Sequence, residues 1–212
     1  SIDQGNRLLE LTKKKKIKLS VNNHRSLSPN YLNIKKFIEK KKEKVTHMFI
    51  NSPSAGLGNM GSSFFDLGKF FFNKKPKKIV CWIDKTGTVN PRGKRFPDPG
   101  GHGIIHYSHN EKIFFDLSEN TGLPYTFTIK SRNYEFNVDE QNNEFKIKIK
   151  NMKMRNKPLF FYIFKPIVKK IKLNHKFDVV KMTEFTIKDI FNKNFKNLSL
   201  NHALEVMHYI LA

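Results

Sequence analysis

Apolar residues recur along this chain with two different periods, and the change between them marks out its elements. Leu8, Leu9 and Leu11 give Asn6–Lys16 one apolar side, which predicts a short amphipathic helix. Tyr31, Ile34, Phe37 and Ile38 make a helical stripe that predicts a second helix over Pro29–Lys44, after a turn at Ser26–Asn30. Val45–Ile50 reads as a buried strand and Lys78–Asp84 as the strongest strand in the chain, with a helix over Phe64–Phe72 between them. Gly103–Ser108 and Lys112–Leu117 form a hairpin that turns at His109-Asn110-Glu111. Period-two alternation follows over Tyr125–Lys130, Asn133–Val138 and Glu144–Lys150. In the last of these Lys146, Lys148 and Lys150 face one way, and Phe145, Ile147 and Ile149 the other. Thr186–Phe195 and Ser199–Leu211 close the chain as helices, the second capped by Ser199.

This order predicts an α+β fold: a central mixed or antiparallel sheet with helices flanking it at both ends. Residues 1–48 read as a basic, helical N-terminal extension and 49–212 as a single α+β domain. Twenty Phe supply much of the core, each contributing roughly 1.5–3 kcal/mol when fully buried.

Charge changes the picture. Forty Lys and Arg stand against eighteen Asp and Glu, a formal +22 over 212 residues. Repulsion of that size opposes compaction unless a polyanion offsets it, so nucleic acid is the expected partner and an anionic membrane face the second choice. Lys35 and Lys36 lie on the basic side of the second helix. Lys146, Lys148 and Lys150 continue into Lys169 and Lys170, with Phe160, Phe161, Tyr162 and Phe164 interleaved. The lysines must be on the surface, whereas the aromatic cluster reads first as core. Lys and Asn rise together, as they do in proteins from AT-rich genomes, which accounts for part of the lysine excess.

Cys81 is the single cysteine, so neither an intrachain disulfide framework nor a CxxC-type zinc site exists. A reducing intracellular compartment, or an organelle or virion interior, is expected. The longest apolar run, Pro158–Phe164, is too short to span a bilayer. Ser1 in place of Met is what processing or trimming would leave.

Two stretches carry candidate chemistry. Gly56-Leu-Gly58-Asn-Met-Gly61 has GxGxxG spacing between a strand and a helix, with Asp84 beyond it. The Lys of a GxxxxGK[ST] loop is missing, and a tight turn without a ligand is the expectation. The second stretch is Arg92-Gly-Lys94-Arg95 leading to His102, His106 and His109. Asp116 or Asp84 could complete a metal site there. Histidine beside phosphate-binding cations could equally act as nucleophile or general acid, and ordinary strand-edge histidines are the plainer reading. No metal and no cofactor is expected.

The runs Ile50-Asn-Ser-Pro53, Ile79-Val-Cys-Trp-Ile-Asp84, Gly101-His102-Gly103, Lys112-Ile-Phe-Phe and Gly122-Leu-Pro124 resemble the central portion of deoxyribonuclease II. That resemblance implies a phospholipase-D-like fold and metal-independent cleavage of DNA through His-x-Lys motifs. His102 would fall at the first motif, although Ile104 stands where the Lys belongs. His175-Lys176 is the candidate for the second, with its two residues adjacent. Two functions therefore stay open. The first is a nucleic-acid-binding basic protein, DNA or RNA, contacting phosphates as a structural subunit of a nucleoprotein particle. The alternative is a nuclease-like phosphodiesterase using His102, His175 and Lys176, with Arg92, Lys94 and Arg95 holding phosphate.

Overall fold

A computed structural model describes residues 1–23, 25–53, 55–85, 93, 95–119, 125–154, 158, 166–172, 178–192 and 199–211. Its centre is an eight-stranded sheet. The strands are β1 (Val45–Asn51), β2 (Lys78–Ile83), β3 (Gly101–His106), β4 (Lys112–Asp116), β5 (Thr126–Ser131), β6 (Tyr134–Asp139), β7 (Glu144–Ile149) and β8 (Ile167–Lys172). Their spatial order is β2-β3-β4-β1-β5-β6-β7-β8. β1 runs parallel to β4, and every other neighbouring pair is antiparallel.

Among the described residues five helices accompany the sheet: α1 (Ile2–Lys14), α2 (Pro29–Lys40), α3 (Ser62–Phe72), α4 (Val179–Phe191) and α5 (Leu200–Leu211). The fold is thus α+β with a mixed sheet, as the pattern of the chain requires. Each helix starts or stops for a local reason. Ser1 and Gln4 form a capping box on α1, Pro29 opens α2, and Asp178 caps α4 through the Val180 N–H at 2.8 Å. Asn73 takes the left-handed conformation that ends α3.

One face of the sheet is covered. Met48, Ile105, Ile113, Phe127, Ile129 and Phe136 are buried there beneath Tyr31, Ile34 and Ile38 of α2 and Phe64, Phe65 and Leu67 of α3. Edge-on ring pairs join the layers, Tyr31 to Phe127 at 6.3 Å, Phe37 to Phe136 at 5.6 Å and Phe65 to Phe115 at 5.3 Å. Helix α5 packs on α3 and α1 packs on α5, so the helices lie in two tiers over the same face. Gly68 permits the close approach of α3, because a Cβ there would stand 2.3 Å from Ile113 Cδ1. The core of the chain therefore includes α2, from the basic N-terminal segment, together with the sheet.

Among the described residues, no helix is long and apolar enough to cross a membrane, and Cys81 is a free thiol.

Candidate functional site

Between β1 and α3 the glycine spacing produces a tight turn, Leu57–Gly61, that runs directly into the helix. Its backbone donors are already engaged. The N–H of Gly58 donates to Asp98 Oδ1 at 2.7 Å and that of Asn59 to Asp98 Oδ2 at 3.0 Å. Helix-opening N–H groups suit an anion, and here the anion is a carboxylate of the same chain. The surrounding sheet differs from a dinucleotide-binding one as well. A doubly wound fold needs successive parallel strands linked by helices, and β1–β4 is the sole parallel pair among the described strands. These residues do not fit a nucleotide pyrophosphate.

A different pair of groups has the arrangement of a proton-handling site. α3 reads Ser-Ser-Phe-Phe-Asp-Leu-Gly-Lys-Phe-Phe-Phe, apolar almost all round, because the sheet covers one side and α5 the other. Asp66 stands in that apolar helix with no exposed surface. Its Oδ1 is hydrogen-bonded to His202 Nε2, and its Oδ2 has no hydrogen-bond partner among the described residues. A buried carboxylate demands such a partner. His202 is placed by the first turn of α5, where its N–H donates to the Ser199 hydroxyl at 3.2 Å. A neutral imidazole that donates from Nε2 keeps Nδ1 as an acceptor, which is how a carboxylate orients a general base.

His202 also lines a cleft of about 260 Å³ between α2, α3 and α5, whose other walls are Lys35, Lys69, Phe70, Asn73, Ser199, Asn201 and Glu205. Phe70 is the one apolar side chain in that set, so the cleft suits a polar ligand. Lys69 pairs with Glu205, and that hydrogen bond holds the Glu205 carboxyl below its ordinary range. Lys35 donates to the Phe70 carbonyl at 2.8 Å and sits 4.2 Å from its ring centroid, completing the C-terminal end of α3.

A second buried cluster flanks α3. Arg25, 2% exposed, donates to Ser63 Oγ at 2.6 Å and to both Glu140 oxygens at 3.3 Å, and lies 4.6 Å from the Phe64 centroid. Tyr31 and Tyr125 donate to the same carboxylate at 2.6 and 2.8 Å. Burial, then the charge of Glu140, pushes both phenols upward. The cluster is closed on itself and ties the segment before α2 to β5 and the end of β6.

The residues singled out by charge lie elsewhere. His102 is on β3, exposed on the uncovered sheet face and stacked on Trp82 at 5.5 Å. His106 shares that face, and His109 lies in the turn after it. Lys146 and Lys148 of β7 are on the uncovered face too, with Lys148 bonded to Glu135 at 2.7 Å. Lys150 follows β7, Lys169 and Lys170 are exposed on the edge strand β8, and Lys36 is exposed on α2 at the opposite side. Arg95 lies over Phe96 at 4.8 Å. Arg92, Lys94, His175, Lys176 and the Phe160–Phe164 cluster fall outside the described residues. Among the described residues no three His, Cys, Asp or Glu side chains are placed to share a metal ion. The cationic positions are thus divided between two faces and a loop, and several are committed to protein partners.

No protein-family model matches the chain, and no curated protein matches it in sequence. Its fold, by contrast, has close parallels. A super-repressor mutant of Gal80p from Saccharomyces cerevisiae superposes with a TM-score of 0.72 at 13% identity, covering 100% of this chain and 66% of that one. UDP-N-acetylglucosamine 3-dehydrogenase GnnA from Acidithiobacillus ferrooxidans gives 0.71 at 10% identity, with 100% and 65% covered. An NAD-binding protein from Listeria innocua gives 0.72 at 11%, with 100% and 68% covered. The chain therefore spans about two-thirds of the length of these proteins.

These likenesses correct the expectation drawn from charge and from the deoxyribonuclease II resemblance. The chain shares its fold with solved structures described as NAD-binding or oxidoreductase proteins, and not with a phospholipase-D-like nuclease. Nucleic acid as partner, a subunit role in a nucleoprotein particle, and histidine cleavage of phosphodiesters are all set aside with it. The physical reason is that net charge reports on solvation and association, not on fold. The matched runs were strand-and-turn patterns that many sheets share.

Proposed function

We propose that this chain supplies the substrate side of an NAD(P)-dependent oxidoreductase-type protein, acting on a small, polar, hydroxylated compound, with the nucleotide held outside this sheet. The observation that carries the reading is the Asp66–His202 pair at the polar cleft, in a fold whose full length is shared with NAD-binding oxidoreductases. Conversion of a hydroxyl to a carbonyl requires that the oxygen lose its proton. His202, oriented through Nε2 by Asp66, is fitted to accept that proton at Nδ1. Asn201, Ser199 and Lys69 offer the hydrogen-bonding groups that hold neighbouring hydroxyls.

The division of labour follows from the glycine loop and the sheet. With Asp98 in the N–H nest and an antiparallel surround, the described residues provide walls and a base but no pyrophosphate site. Fold alone does not fix chemistry, so the reading rests on the pair and its cleft.

The test is NMR of the His202 ring during titration with glucose, galactose and UDP-N-acetylglucosamine, the last because one structural neighbour is named for it. Saturable shifts at His202, weakened in Asn201→Ala, are expected for at least one probe. Silence at His202 for all three at millimolar concentration would contradict the reading.

A further inference from the structure

We propose that the sheet face turned away from the described helices docks an acidic protein partner through an apolar strip. The register places Val80, Ile104, Phe114 and Phe49 side by side across β2, β3, β4 and β1. Trp82 adjoins the strip at the β2 edge. Phe49 is 38% and Trp82 56% exposed, unusual values for large rings in the middle and at the rim of a sheet. Four strands at about 4.8 Å spacing make a strip about 14 Å across. Contiguous apolar surface of that kind, rimmed by polar groups, marks an interaction site.

The rim identifies the occupant. Lys78, Lys112, Lys130, Lys146, Lys148 and Lys170 project from the same face, according to the strand register. Four carboxylates accompany them, Asp116, Glu135, Asp139 and Glu144, and Glu135 is already engaged by Lys130 at 3.1 Å and by Lys148 at 2.7 Å. A second copy of the chain, itself carrying +22, would present the same lysine-rich rim to this one in a two-fold pairing. Like charges so placed oppose docking, whereas carboxylates around an apolar centre complement both rim and strip.

The ring geometry argues against a stacked-base occupant. Phe49 and Phe114 lie parallel at 4.8 Å with 8° between their planes, so each already stacks on the other. Lys130 holds its ammonium 4.8 Å from the Phe49 centroid and closes that pair from the side.

The experiment uses the full chain and a cyclic β-hairpin peptide of alternating Phe and Glu, followed by fluorescence anisotropy. Poly-L-glutamate, duplex DNA and phosphatidylserine vesicles serve as competitors, and sedimentation velocity reports self-association. The hairpin is expected to bind and to resist displacement by all three competitors at equal charge. Phe49→Asp should weaken it about ten-fold, as should the pair Lys146→Glu and Lys170→Glu, while Lys36→Glu on α2 should leave it unchanged. The lysine variants lie at the surface, so they keep the test decisive if Phe49→Asp fails to fold. Full displacement by polyglutamate, DNA or vesicles would overturn the proposal, as would equal loss in Lys36→Glu. A concentration-dependent dimer abolished by Phe49→Asp would overturn it in favour of a second copy.

Discussion

The Asp98 carboxylate caps the turn before α3, taking the Gly58 N–H at 2.7 Å with one oxygen while the other takes that of Asn59. This relationship explains the glycines without a nucleotide. A Cβ on Gly56 would lie 2.1 Å from Asp98 Cγ, so Gly56 makes room for a carboxylate arriving from the segment before β3. The spacing that resembles a phosphate loop is a docking place for the chain's own side chain.

Asp98→Ala should therefore cost about 1–2 kcal/mol, the usual value of a helix-opening cap. For a chain of this size that lowers Tm by about 2–8 °C. Gly56→Ala should destabilise the native protein yet cost little in the Asp98→Ala background, because the obstructing group is gone. Thermal unfolding of the four proteins checks the cycle, and additive losses would contradict the contact.

Arg25 and Glu140 form an ion pair with side chains only 3% exposed. Glu140→Gln or Arg25→Met alone leaves a buried charge without its counterpart and should cost about 3–5 kcal/mol. The double replacement Arg25→Met, Glu140→Leu should recover a large part of that loss. Urea unfolding of the three variants measures it, with recovery below either single variant as the contrary result.

Glu135 titrates unusually low. Burial pushes its carboxyl up, but hydrogen bonds from Lys148, Asn137 and Lys130 outweigh that and hold it at about 2. Because the folded value is depressed, the stabilisation is complete above the ordinary carboxylate value of about 4.3. It is lost as pH falls from there toward 2. The two lysines are 39% and 42% exposed, so solvent screening reduces the effect to about 1 kcal/mol. Stability measured between pH 5 and pH 2 should fall less steeply in Glu135→Gln than in the native protein.

Much of the fold was legible in the apolar pattern. Alternation in Glu144–Ile149 placed lysines on one face and apolar residues on the other, and the structure pairs that strand between β6 and β8 as such. Helix α3 begins at Ser62 and not Phe64, because two serines extend it by about half a turn that hydrophobicity does not reveal. Helix α4 spans Val179–Phe191 and begins earlier than the expected Thr186, with Asp178 as its cap. Strand β8 escaped notice because Ile167-Val-Lys-Lys-Ile-Lys172 does not alternate, as befits an exposed edge.

The site was far less legible. Asp66 and His202 lie 136 residues apart and meet only when α5 packs on α3. The one signal was a lone carboxylate inside Phe64-Phe65-Asp66-Leu67, since a charge there must find a partner. Lysine abundance pointed instead to phosphate, yet Lys35, Lys69 and Lys148 are engaged by a carbonyl or by carboxylates of the chain itself.

The division between a substrate side in this chain and a nucleotide held elsewhere is tested most directly by titrating residues 1–212 with NADH and NADPH, reading nicotinamide fluorescence. The account predicts no saturable binding, both for the native chain and for Asp98→Ala, in which the N–H nest is vacated. Saturable binding competed by NAD⁺, and altered by Asp98→Ala, would place the nucleotide in the glycine loop and contradict the account.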